Sequence, residues 1–197
     1  MILCIPNTVF CISITLLMLV SCGDNSSKNV KLDNLVAPYY ELIMAGNSGS
    51  ARVRLRQWMG ANGEHPHGLF LMGLSYHQEK RYAKAIEWFE KAVVSKDQVN
   101  QYPPTWHFLG WSNFYQGNLQ KSKDSFENYL SFHPTECDSI FALGLIALED
   151  GQLDYAEQLL KDSIELAIAE QQIEVQAKAT SRLGDVFEEY GEFDKAI

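Results

Sequence analysis

Two stretches decide the reading: Leu69-Phe-Leu-Met-Gly-Leu-Ser-Tyr76 and, after a short polar break, Tyr82-Ala-Lys-Ala-Ile-Glu-Trp-Phe89. Both carry large apolar residues at helical spacing, and the break holding Lys80 separates them into two helices. Gly73 sits inside the first. A glycine there weakens a helix by about 1 kcal/mol relative to alanine. Its place is explained if a second helix crosses so closely that no side chain fits.

Working outward, the pattern returns. Gly73, Gly110, Gly144 and Gly184 are spaced by 37, 34 and 40 residues. Each follows a large apolar residue: Met72, Leu109, Leu143 and Leu183. Seven residues after the later three come Gly117, Gly151 and Gly191, then an apolar residue (Leu119, Leu153, Phe193), then a small one (Ser122, Ala156, Ala196). The first unit has Lys80, Tyr82 and Ala85 at these places. Recurrence at such a period marks a stacked array, because one helical hairpin cannot bury its own apolar face.

These residues resemble the tetratricopeptide repeat, a helix-turn-helix unit of about 34 residues. The second copy carries Trp106, Leu109, Gly110, Phe126 and Pro134 at the expected positions, with Asn113 where tyrosine is usual and Tyr129 where alanine is usual. The third has Leu143, Gly144, Ala156 and Leu160. A degenerate copy fits residues 32–65 through Leu35, Tyr39, Leu42, Gly46, Ala51, Leu55 and Trp58, with Pro38 near the start of its first helix. The resemblance implies an all-α solenoid of antiparallel helix pairs. Its units are 32–65, 66–102, 103–136 and 137–176, with a partial 177–197 truncated at the C-terminus. Extra residues at 95–104 and 168–176 fall between units and should lengthen loops or helix ends. Thr135 is placed to cap the third unit. The partial last unit points to a fragment of a longer superhelix.

Ahead of the array, Thr8 to Val20 is apolar and shorter than the roughly 20 residues of a membrane span. It has the length of a signal-peptide core. The following Leu19-Val20-Ser21-Cys22-Gly23 resembles the lipobox of bacterial lipoproteins, although residues 1–21 carry no Lys or Arg. The resemblance implies a signal peptide over 1–21, lipidation at Cys22, and a flexible tether over 22–31. Placement would be in the bacterial cell envelope, at the outer membrane facing the periplasm. Cys4 and Cys11 would leave with the signal peptide, so Cys137 would be the one remaining thiol, read as a small helix residue.

The formal charge of -9 argues against nucleic acid, which needs clustered Lys and Arg. Arg52, Arg54 and Arg56 are too few to offset it. His65-Pro-His67 lacks the further ligands a zinc site needs, and no phosphate loop or nucleophile elbow occurs. Acidic neighbours such as Glu188 and Glu189 diverge on a helix, so they do not converge on one substrate atom as an acid-base pair. No metal, cofactor or catalytic residue is expected, and the chain reads as a non-enzyme.

Tetratricopeptide arrays hold ligands along their first helices, at the second, fifth, ninth, twelfth and thirteenth positions. The resemblance implies that His67, Phe70, Leu74, His77 and Gln78 line the inner wall in one unit. His107, Trp111, Phe114 and Tyr115 do so in the next. Phe141, Leu145, Leu148 and Glu149 follow, then Lys178, Ser181, Asp185, Glu188 and Glu189. The peptide-binding candidates are the aromatic ones: His67, Phe70, His77, His107, Trp111, Phe114, Tyr115 and Phe141. Phe70, His107 and Phe141 stand where chaperone-tail receptors place Lys or Asn, so a carboxylate clamp is not expected. An apolar or proline-containing peptide, or a helix, fits better; the other reading is that the aromatics fill inter-repeat core. The implied role is a scaffold for other proteins, assisting assembly of an envelope complex. Homo-oligomerisation is open. The alternatives are the targeting arm of an enzyme whose catalytic domain lies beyond residue 197, or a soluble adaptor without lipid.

Overall fold

The structure, a computed structural model, describes residues 37–94 and 102–192. The expected signal peptide, Cys22, the tether and the last five residues lie outside them. Among the described residues there are nine helices and no strand. Helix α1 is described over 37–44 and contains Pro38. Then follow α2 (Ser48–Asn62), α3 (Pro66–Gln78), α4 (Tyr82–Val93), α5 (Pro104–Tyr115), α6 (Leu119–Leu130), α7 (Cys137–Glu149), α8 (Leu153–Ala169) and α9 (Ile173–Glu189). From α2 onward each helix packs on its neighbour in sequence, and α3 also meets α5 while α7 meets α9. No helix among the described residues is long and apolar enough to cross a membrane.

The periodic glycines sit where the helices of a pair cross. A Cβ at Gly73 would run into the Phe89 ring; at Gly110 it would lie 2.8 Å from Phe126, and at Gly144 3.0 Å from Leu160. Those three side chains and the small residues Ala85, Ser122 and Ala156 are fully buried. Serines in this packing satisfy themselves on backbone: Ser122 Oγ donates to the Gly110 carbonyl and Ser163 Oγ to that of Cys137, both at 2.9 Å.

The turns are copies of one another. In the first, the Lys80 N–H donates to the His77 carbonyl and that of Arg81 to Tyr76. The same two bonds recur at Gly117 and Asn118, at Gly151 and Gln152, and at Gly191 and Glu192. This closure places one residue in the left-handed region. Gly117 takes it at φ 74°, whereas Lys80 takes it at φ 57° with a side chain attached. Pro66 and Pro104 open α3 and α5, where a missing N–H costs no helical bond.

The structure fixes several details that the sequence left open or placed differently. The cap of α7 is Glu136, not Thr135: its carboxylate accepts from the N–H groups of Asp138 and Ser139. Helix α9 begins at Ile173, so a boundary between 176 and 177 would cut its first turn. The surplus near 168–176 is taken up as helix, making α8 and α9 17 residues each. Arg52 is committed to the fold rather than forming a basic run with Arg54 and Arg56. Its guanidinium pairs with Glu79 at 2.8 Å and lies 4.5 Å from the centre of the Tyr76 ring. It thereby clasps the degenerate unit to the first clear one, and Ile43, Ala51 and Leu55 share a core with Leu69, Phe70 and Phe89.

Candidate functional site

The inner row of first helices is held in register by side chains that reach from one unit to the next. His77 Nδ1 lies 2.9 Å from Ser112 Oγ, and His107 Nδ1 lies 2.9 Å from Ser139 Oγ. Trp111 Nε1 donates to Asp138 Oδ2 at 2.8 Å, and the same oxygen is 3.5 Å from His107 Nε2. Glu136 Oε2 is 3.8 Å from His107 Nδ1. The grouping of Ser139, His107 and Asp138 has the residue types of a hydrolase triad. Ser139 is fully buried, however, so no substrate carbonyl reaches its hydroxyl. The serines serve as ties between units.

Burial explains the acid-base character of the row. His77 and His67 are each pushed down to about 4, first by burial and then by a neighbouring histidine (His107 and His65 respectively). Both are therefore neutral near pH 7. The Asp138 carboxyl is raised by burial; the His107 charge, the Trp111 hydrogen bond and Lys178 work against that shift. Burial works to lower the Lys178 ammonium, yet the Glu174 hydrogen bond and the Glu174 and Asp138 carboxylates hold it above its ordinary value. Cys137 is pushed up to about 12 by burial and by Glu136, Glu170 and Asp138. It is an inert core thiol.

The eight aromatic candidates separate into two groups. His67, Phe70 and Phe141 are only 2%, 2% and 4% exposed, so they are core rather than wall. Tyr102, just before α5, packs 4.1 Å from His67 and 4.7 Å from Phe70 between centroids, and Phe70 is further enclosed by Phe89 and Phe108 at 5.9 and 5.7 Å. Phe141 is closed in beside Trp111, 6.3 Å away. His77 and His107 are half-buried and tied to their serines. Trp111 and Phe114 are half-buried, and Tyr115 is 52% exposed.

Trp111, Tyr115 and Tyr82 form a shelf. The Tyr115 ring stacks on Tyr82 at 4.6 Å and 25°, and on Trp111 at 5.7 Å and 24°. Phe114 meets the Trp111 edge at 5.7 Å. Tyr82 opens α4 and was not among the residues expected on the inner wall. Its repeat position signals packing, and only its distance from Tyr115 reveals the second role. The two departures from the repeat pattern lie beside the row. Asn113 is buried, donating to the Leu109 carbonyl and accepting from Asn118, while the Tyr129 ring rests 5.2 Å from His107. Among the described residues, no group of three or more His, Cys, Asp or Glu is placed to hold a metal ion.

With this geometry in place, the comparisons fall on the same helices. The family profile described as tetratricopeptide repeat matches residues 66–94, which are α3 and α4. No curated protein matches the chain. Among solved structures, MamA from residue 41 to its end, from Desulfovibrio magneticus RS-1, superposes with a TM-score of 0.70 at 17% identity, covering 89% of this chain and 91% of that one. A second MamA crystal structure gives 0.68 at 20% identity, covering 79% and 86%. A thermophilic TPR protein of Thermus thermophilus gives 0.60 at 17%, covering 83% and 85%. At such identities the likeness is one of fold. The described residues are thus an all-α, tetratricopeptide-type solenoid of antiparallel helix pairs, and residues 66–94 are a match to the repeat itself.

Proposed function

We propose that this chain is a non-catalytic scaffold that holds other proteins in the groove lined by α5, α7 and α9. The observation that carries the reading is the shelf at Tyr115. A large aromatic side chain stands 52% exposed, stacked between two others, with Trp111 fixed by its bond to Asp138. Aromatic residues in pre-positioned geometry are the usual anchors of protein interfaces, each contributing about 2 kcal/mol or more. The inner wall used is Tyr82, Trp111, Phe114 and Tyr115, with His77 against the Tyr82 and Tyr115 rings and His107 sharing Asp138 with Trp111.

The test is a photoreactive amino acid at Tyr115 in living cells, with a second at Tyr155, which is 47% exposed on α8. The groove reading expects Tyr115 to capture one or a few proteins. Capture at Tyr155 without capture at Tyr115 contradicts it.

The finer reading is a cell-envelope lipoprotein anchored through Cys22, at the outer membrane facing the periplasm, assisting assembly of an envelope complex. It rests on the sequence of residues 1–31. Fatty-acid labelling of the natural protein and of Cys22→Ala tests it. Label on the former alone is expected; no label on either contradicts the anchor and leaves a soluble adaptor.

A further inference from the structure

We infer that the segment taken by the groove is positively charged, with an apolar side chain on the Tyr115 shelf and Lys or Arg side chains directed toward α9. This deepens the groove reading and rests on it. The shelf spans the start of α4 and the end of α5, Trp111 of α5 bonds to Asp138 of α7 at 2.8 Å, and α7 packs on α9, so α5, α7 and α9 adjoin in one row. Along that row by register stand Asp138, Glu149, Asp185, Glu188 and Glu189, against the single cation Lys178.

Lys178 is already occupied, 2.7 Å from Glu174, and Arg182 neutralises Asp185 at 2.7 Å. Among the described residues, Glu149, Glu188 and Glu189 form no ion pair and are exposed. Among the described residues of this row, an incoming acidic segment would therefore find no unpaired cation and three carboxylates without an ion pair, whereas a basic segment would find complementary charge. The net charge of -9 extends the same preference to the approach, and it works against a second copy of this chain as the occupant.

The experiment is selection of a random displayed peptide library on the full chain, followed by affinity measurement with synthetic copies of the enriched peptides. Enriched peptides should pair an aromatic, proline or aliphatic residue with two or more Lys or Arg. Their affinity should fall by about tenfold or more between roughly 0.05 and 0.5 M salt. The triple variant Glu149→Lys, Glu188→Lys, Glu189→Lys should lose about tenfold or more while its melting curve stays in place. Neutral or acidic winners, salt-insensitive binding, a winner copying this chain's own sequence, or no enrichment would overturn the inference. Tyr115→Ala is measured in parallel. If it abolishes binding while the charge reversal has no effect, the groove reading stands and the basic ligand falls. If neither variant changes binding, both fall.

Discussion

The first and second clear units carry the same repeat yet present opposite inner faces. In α3 the second and fifth positions, His67 and Phe70, are buried under Tyr102. In α5 His107 is half-buried, and the row climbs through Trp111 to an open Tyr115. Register fixes which side of a helix faces inward in both. Whether that side is covered depends on what lies between units, and Tyr102 comes from the residues between α4 and α5. The closed unit contributes stability and the open one contributes surface.

The largest effect should come from breaking the crossing in the closed unit. Gly73→Ala drives a methyl into the buried Phe89 ring, which has no room to move, and should cost about 3 kcal/mol. Gly144→Ala comes no nearer than 3.0 Å to Leu160, a milder approach than that to Phe89 at Gly73, and should cost under about 1 kcal/mol, since alanine also favours the helix. Urea denaturation of the two variants compares them directly.

Removing the cover should convert one inner face toward the other. Tyr102→Ala is expected to cost about 2 kcal/mol and to let the His67 pKa climb from about 4 toward its ordinary value, because burial is the main cause of its depression. An NMR titration of the His67 ring reads this. An unchanged His67 would show that Tyr102 is not what closes the face.

Acid should loosen the same region. His67 and His77 have folded pKa values below the unfolded value, so between roughly pH 6.5 and 4 the unfolded chain binds more protons. Their contribution is therefore present above pH 6.5 and is lost as pH falls, on the order of 1–2 kcal/mol each by pH 5. Hydrogen exchange at pH 7 and pH 5 should show protection falling in α3 before α8. The smallest effect lies at the turns: Lys80→Gly relieves a left-handed residue and should add about 0.5–1 kcal/mol, bringing that turn into line with Gly117.

Much of the fold was legible because it is written as a period. Gly73, Gly110 and Gly144, with Ala85, Ser122 and Ala156, mark crossings in phase, and the packing found at each is the one such residues require. The cap at Glu136 was missed because Thr135, the residue before it, has the more familiar capping side chain. Arg52 looked like part of a basic run since nothing local reveals Glu79, 27 residues away, as its partner. The site was half legible. Tyr115 follows from register alone, but the cover that Tyr102 lays over His67 and Phe70 comes from a residue with no place in the repeat. The ties from His77 to Ser112 and from His107 to Ser139 join different units, so they appear only when the units are stacked.

The central claim is that the open inner face, not the outer surface, holds other proteins. Its most direct test is the affinity of a protein captured at Tyr115 for the natural chain, Tyr115→Ala and Tyr155→Ala, measured by calorimetry. A groove that holds its partner on the shelf predicts about a 30-fold loss for Tyr115→Ala, equivalent to about 2 kcal/mol, with Tyr155→Ala unchanged. Equal affinities for Tyr115→Ala and the natural chain, or a loss confined to Tyr155→Ala, would contradict it.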